Sequence, residues 1–349
     1  MKRFLTILFF ALIPLKTFAD TDVIREVFNR LNQDYLQDVQ NEEIALKGLE
    51  SLNKIDSKMT LKKVGNQFVL FQNQKVAETF DLPENTQDKE AWITLSKNII
   101  NRATSFSERL DVLDFELPDR FAQAVFENLD GYSHYFSAFE DETEKPFKIQ
   151  RQFAARIIDD VMLIKILSFQ KGIAERVKTT ISECSKCSAL ILDLRANGGG
   201  FLNEAIEIAD LFLDEGIITY TSSAQNDTPH YFTANSGDIF AGKPIVLISD
   251  GKTASAAEVL IAALTEQDRA VLIGTRTHGK GTVQDVTKMA SDRAISVTTS
   301  LFYTPSGQTI EKRGLTPLIC TGEGDSCAPS DRFGKEEDIE AALRYLKEE

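Results

Sequence analysis

Histidine is scarce in this chain: His134, His230 and His278 are its only three in 349 residues. A serine–histidine–carboxylate arrangement therefore has three possible centres, and only His278, in the glycine-flanked "THGKG", stands near other reactive side chains. No carboxylate is evident to orient it. Basic residues are also in deficit, with 39 Lys and Arg against 53 Asp and Glu and a formal net charge of −14. Such a surface argues against nucleic acid or anionic lipid as the main partner. Phosphate-binding Walker patterns, internal repeats and low-complexity tracts are missing, and no constellation suggests a metal or a cofactor. Long apolar runs are missing too, except from Phe4 to Leu15. That run is shorter than the roughly 20 residues a bilayer span needs. It follows Lys2 and Arg3 and precedes a small-residue "TFA", so residues 1–19 read as a secretory signal peptide cleaved after Ala19. If retained, it is a membrane anchor. Its loss with Lys2, Arg3 and Lys16 leaves the chain still more acidic.

Four cysteines are few, but in an exported protein they carry information. Cys184 and Cys187 form a CxxC, and Cys320 and Cys327 bracket a Gly- and Asp-rich loop. In an oxidising compartment such as a bacterial periplasm they read as two local disulfides, although spacing alone leaves cross-pairing open. A redox CxxC or a four-cysteine zinc site fits less well, because the CxxC does not stand between a strand and the start of a helix.

Residues 20–140 alternate helical periods with polar breaks, as in "DVIREVFNRLNQDYL" and "DRFAQAVFENLDG". "TLKKVGNQFVLFQNQKVAETF" interrupts them with paired strands joined near Gly65 and Asn66. This is a small, mostly helical N-terminal domain. After the acidic break "EDETEKP" the pattern changes. "FAARIIDDVMLIKI" reads as two strands turning at Asp159 and Asp160, followed by a helix at "GIAERVKTTISE". The apolar strands "SALILDL", "KPIVLIS" and "AVLIGT" then alternate with the helices "LNEAIEIADLFLDEG" and "SAAEVLIAALTEQ". That order specifies an α/β domain over 150–320 with a buried sheet. "AISVTTSLFYTP" belongs to a last strand pair, and 321–349 form a loop and the helix "EEDIEAALRYLKE".

Three features of the α/β domain could carry chemistry. Ser255 stands where a strand hands over to a helix, beside free N-terminal N–H groups such as that of Ala256, which can stabilise an oxyanion. The plain alternative is that Ser255 or Thr253 caps the helix. Lys280 follows a strand one crossover from the strand before Ser255, so both side chains can reach one sheet edge. Burial would keep its amine neutral and able to accept a proton, and Gln284 could orient it. "LRANGGG" offers unobstructed backbone N–H groups, or it is simply a tight turn.

The segments "LILDLRANGGGFLNEAIEIADLF", "KPIVLISDGKTASAAEVLIAAL", "VLIGTRTHGKGTVQ" and "TTSLFYTPSGQTIEKRGLTP" resemble, in order, the signature segments of the carboxyl-terminal processing peptidases, or tail-specific proteases, S41-type serine peptidases. The resemblance implies a core related to the Clp protease and crotonase folds, and a serine endopeptidase without a cofactor. It implies Ser255 as nucleophile, Lys280 as general base and Gln284 as its support, with backbone N–H groups of Ala256 and of Gly198 or Gly199 as the oxyanion hole. Its substrates would be exported proteins or peptides, cut near their C-termini. The chain departs from the family in one respect. Between a segment like "YSHYFSAFE" and the strands leading to "ALILDLR", members usually carry a PDZ domain of roughly 80 to 90 residues, for which there is no room here. "GYSHY" also departs from the commoner "DPHSxY". Capture of substrate tails by strand addition to a PDZ domain is therefore not assumed: either the N-terminal domain takes over substrate selection or another protein delivers substrates, so the partners expected besides substrate are an adaptor or a homo-oligomer. Alternative readings are a catalytically silent scaffold on this fold or a crotonase-like acyl-CoA enzyme, the latter resting on fold analogy alone.

Overall fold

The computed structural model describes residues 22–137, 152–223, 228–235, 237–322, 327 and 336–348. The expected signal peptide and the "EDETEKP" break lie outside these residues.

Asp22 caps the first helix by accepting a hydrogen bond from the Arg25 N–H at 3.2 Å. Val23, Ile24, Val27, Phe28 and Leu31 then form one buried stripe along α1 (Val23–Gln33). Helices α2 (Asn41–Leu49) and α3 (Ser51–Ile55) follow. Next come strands β1 (Met59–Val64), β2 (Gln67–Gln72) and β3 (Lys75–Asp81), then helices α4 (Lys89–Phe106), α5 (Glu108–Val112) and α6 (Leu117–Phe126). The sequence suggested one strand pair here, but the structure has a three-stranded antiparallel sheet in the order β1-β2-β3. Its second turn is made by Asn73 and Gln74, both at positive φ. No glycine marks it, which hid it from a reading based on turn residues. Trp92, Phe28, Phe68 and Phe121 are fully buried in the core of this unit.

Strand β4 (His134–Phe136) leaves the helical unit and pairs antiparallel with a strand near the other end of the chain. Strands β5 (Phe153–Ile158) and β6 (Val161–Ile166) form the expected hairpin, with Asp159 at φ 56°. Helix α7 (Ile173–Ser182), strand β7 (Ala189–Asp193) and helix α8 (Leu202–Asp210) follow. Strands β8 (Ile217–Ser222) and β9 (His230–Thr233) then form a second hairpin. Strand β10 (Ile245–Ser249), helix α9 (Ala256–Thr265) and strand β11 (Val271–Gly274) complete the alternation. The chain continues through β12 (Thr282–Lys288), β13 (Ala294–Tyr303), β14 (Ile319–Cys320) and α10 (Glu336–Glu348).

The principal sheet has the order β14-β11-β10-β7-β6-β5 and is parallel except for β5. Its two-sided burial explains the apolar runs. Leu190, Leu192, Ile245 and Leu247 pack with residues of α7, α8 and α9. Their neighbours Ala189, Ile191, Val246 and Ile248 pack on the opposite face with Ile339 and Ala342 of α10. The period of two along each strand thus serves two layers. The second sheet runs β12-β13-β8-β9, with β4 also on β13. Ile295 and Val297 of β13 enter the core of the helical unit. Arg293 adds a bidentate pair with Asp119 of α6 at 2.8 and 2.9 Å, and Tyr135 of β4 donates its hydroxyl to the same carboxylate.

Both cysteine pairs are local disulfides, Cys184–Cys187 and Cys320–Cys327. The first sits between the end of α7 and the start of β7, the reverse of a strand-to-helix redox site. Among the described residues no group of His, Cys, Asp and Glu could hold a metal, and no helix is long and apolar enough to cross a membrane.

Candidate active site

β7, β10 and β11 are adjacent in the sheet, and the loops leaving their carboxyl ends carry "RANGGG", "DGKTAS" and "TRTHGKG". Sheet order therefore gathers three separate sequence segments at one edge.

Ser255 lies at the start of α9 with φ 58° and ψ −123°. A capping residue ordinarily has extended backbone angles, whereas this conformation costs an L-residue about 1–3 kcal/mol and persists only where neighbours enforce it. Those neighbours are evident. The Ala254 N–H donates to the Asn197 carbonyl at 2.9 Å. Buried Thr253 is held by Asp250 Oδ1, which also accepts from the N–H groups of Ala196 at 3.0 Å and Lys252 at 2.9 Å. The Ser255 N–H donates to Glu258 Oε2 at 2.8 Å.

Glu258 has no exposed surface. Its Oε1 accepts from Thr277 Oγ1 at 2.5 Å and the Gly279 N–H at 2.7 Å, and its Oε2 from the Lys280 N–H at 2.9 Å as well as from Ser255. Burial pushes its carboxyl pKa up, against the pull of these hydrogen bonds. One carboxylate thus joins the backbones of Ser255 and Lys280, which are 25 positions apart. The sequence reading overlooked Glu258, although "SAAE" has the Ser-x-x-Glu spacing in which a glutamate reaches back to the first residue of its helix.

The glycine loop meets Ser255 directly. A Cβ on Gly199 would stand 2.9 Å from Ser255 Cβ and 3.2 Å from the Ala256 nitrogen, and Gly199 has φ +104°. Only glycine suits this position. The Gly199 N–H is already donated to Asn197 Oδ1 at 2.8 Å, and its carbonyl accepts from the Phe169 N–H at 2.9 Å. The N–H groups of Gly198 and Ala256 have no such partner among the described residues. Beneath the loop Arg195 is 3% exposed. It bonds Asp193 at 2.9 and 2.6 Å and Asp338 of α10 at 2.9 Å, while Lys165 Nζ donates to the Arg195 carbonyl at 2.6 Å.

Lys280 is half-buried, and burial pushes its amine pKa down against the opposing charges of Glu311 and Asp130. Its Nζ makes no hydrogen bond or ion pair among the described residues and lies 4.8 Å from the centroid of the Tyr132 ring. Gln284 Nε2 donates to Thr282 Oγ1 at 2.8 Å and Thr298 Oγ1 at 3.2 Å. The contact expected between Gln284 and the Lys280 amine is not made in this state. His278 is exposed, and its backbone N–H donates to the Thr253 carbonyl at 2.9 Å. His134 and His230 are exposed on β4 and β9.

A mostly parallel sheet whose candidate residues cluster beyond the carboxyl ends of its strands defines an α/β protein with its candidate site in the usual place for such sheets. Comparison with known proteins shows what the α/β segment is similar to. Residues 160–320 match the model of Peptidase family S41, so this segment is similar to that family. It is 35% identical over 170 residues to a carboxy-terminal-processing protease of Bartonella bacilliformis, covering 47% of this chain and 39% of the relative. It is also 35% identical over 158 residues to the carboxy-terminal processing protease CtpA of Bacillus subtilis, covering 45% of this chain and 34% of the relative. These matches span well under half the length of either relative. Among solved structures, a lipoprotein from Streptococcus agalactiae superimposes with a TM-score of 0.52 at 15% identity, over 90% of this chain and 98% of that one. A putative peptidase from Parabacteroides merdae gives 0.50 at 16% identity, over 88% and 97%. Both show likeness of fold, and it extends over nearly the whole chain.

Proposed function

We propose that this protein is an exported serine endopeptidase in which Ser255 is the nucleophile and Lys280 its general base. The supporting observation is the shared Glu258 carboxylate, which anchors the backbones of a strained serine and a desolvated lysine at one buried point. A scaffold protein has no need of either the strain or the desolvated amine.

In this reading the neutral Lys280 Nζ takes the Ser255 hydroxyl proton as Oγ attacks a peptide carbonyl carbon. The N–H groups of Ala256 and Gly198 receive the developing oxyanion; Gly199, whose N–H is engaged by Asn197, supplies clearance instead. Collapse expels the amine half of the substrate, which takes the proton from Lys280, and leaves an acyl ester on Ser255. Water then attacks that ester, giving its proton to Lys280, and Ser255 recovers a proton as the new C-terminus departs. Gln284 uses both described donor contacts on threonines, so its carbonyl oxygen is the group available to accept from the Lys280 ammonium.

Export is supported by the leader-like N-terminus and by the two disulfides. The names of the relatives favour cleavage near substrate C-termini. Only residues 137–152 join β4 to β5, so recruitment falls to the helical unit, an adaptor or a second copy. The test is hydrolysis of an unfolded protein by the purified chain: Ser255→Ala and Lys280→Ala should each abolish it with folding intact. Undiminished cleavage by Ser255→Ala would end this reading. Trapping exported proteins on Ser255→Ala would then identify the substrates.

A further inference from the structure

The Lys280 amine is covered by a residue of the helical unit. Asp130 closes a tight turn in which its Oδ1 accepts from the N–H groups of Tyr132 at 2.8 Å and Ser133 at 2.7 Å. Ser133 fixes that turn to β13, its Oγ accepting from the Thr298 N–H at 3.0 Å and lying 3.3 Å from Thr298 Oγ1. Thr298 Oγ1 in turn accepts from Gln284. The turn is thereby locked to the strand pair that carries the lysine's expected support, and it brings the Tyr132 ring to 4.8 Å from Lys280 Nζ.

Resting on the assignment of Lys280 as base, we infer that Tyr132 is a positioning residue of the reaction: its ring face keeps water from the lysine and stabilises the ammonium formed as Ser255 loses its proton. A desolvated ammonium needs compensation, and an aromatic face provides it without a carboxylate that would hold the lysine permanently charged. The charged groups around Lys280 fit this division. Asp130 comes from the same turn, Glu311 lies beyond β13, and Glu258 comes from α9. Each has hydrogen bonds to backbone N–H groups: Asp130 with Tyr132 and Ser133, Glu311 with Gly281 at 2.7 Å, and Glu258 with Ser255, Gly279 and Lys280. None forms an ion pair with the amine. Burial, with the nearby Glu311, Glu258 and Asp130, pushes the Tyr132 phenol pKa up, so the ring stays neutral. The helical unit thus contributes a residue to the site.

The test compares Tyr132→Phe, Tyr132→Leu and Tyr132→Ala in the intact chain, by kcat and by the pH profile of kcat/KM on a labelled unfolded protein. Lys280→Ala and thermal melts run alongside. Phenylalanine keeps the ring face and should hold kcat within about twofold. Leucine excludes water but offers no π face; kcat should fall about tenfold, the scale of a desolvated cation–π contact, and the acid limb should move to lower pH. Alanine admits water, which favours the ammonium, so its acid limb should move to higher pH. Opposite shifts for leucine and alanine are not expected of a merely structural residue. Wild-type kcat and profile in Tyr132→Ala would overturn the inference, and so would a phenylalanine variant as impaired as alanine. An active Lys280→Ala would instead remove the base assignment on which it rests.

Discussion

Replacing Glu258 by glutamine tests the clamp that holds the site together, because it keeps the shape and removes the charge. In the native protein the carboxylate accepts four hydrogen bonds, three from backbone N–H groups and one from Thr277 Oγ1. The amide has one acceptor and one donor end. Its least costly orientation directs the NH2 at Thr277 Oγ1, which already accepts from the Leu315 N–H at 2.7 Å, and leaves the Gly279 N–H unpaired. An unpaired buried donor costs about 1–3 kcal/mol, and the remaining bonds lose the reinforcement of a full charge. The expected loss is therefore about 3 kcal/mol of stability, together with a fall in kcat as the Ser255 and Lys280 backbones lose their common anchor. Urea unfolding should be followed by far-ultraviolet circular dichroism, since the single tryptophan, Trp92, reports only on the helical unit. Glutamine also imitates a protonated glutamate, the form that burial favours. Unfolding of Glu258→Gln within about 0.5 kcal/mol of the parent, with unchanged kcat, would refute the charged clamp.

Gly199→Ala should lower kcat about a hundredfold, the scale of misplacing a reacting group by about 1 Å, because its Cβ would press on Ser255 from a backbone already at φ +104°; circular dichroism should show the fold retained. Asp338→Ala leaves the Arg195 guanidinium buried with one partner fewer, and urea unfolding should register a loss of about 3–5 kcal/mol. The Asp193 carboxyl is held below the ordinary value of 3.8: burial opposes this, but the Arg195 hydrogen bonds and the Lys165 charge outweigh it. Its folded pKa is depressed, so its contribution to stability is present above about pH 4 and is lost as the pH falls through the folded value. Urea midpoints measured from pH 6 down to pH 3 should decline more steeply in the parent than in Asp193→Asn.

The layered core was legible because the buried strands are apolar over most of their length and the crossover helices between them show a helical period. The candidate dyad was legible because helix starts and glycine-flanked loops are local features. Other parts were not local. Strand β3 turns on Asn73 and Gln74, which carry no glycine signal. Strands β8, β9 and β12 are mostly intermediate or exposed and do not alternate cleanly, so their period is too weak to stand out. Gln284 was expected to bond the lysine, but two threonines occupy its amide, one of them on a strand that sequence could not align with it. Tyr132 escaped notice because its contact with Lys280 depends on β4 reaching across to β13.

That pairing also bears on when the proposed site can first form. The Ser133–Thr298 contact closes a loop of 165 positions, and such long-range contacts pay their loop-closure entropy late in folding. A chain emerging N-terminus first presents Tyr132 long before Ser255, Lys280 and Thr298 exist to meet it. Under the proposed assignments, nascent and partly translocated chains lack the assembled dyad, so activity begins only once β13 has been delivered. Timing of synthesis would then restrain the proposed activity.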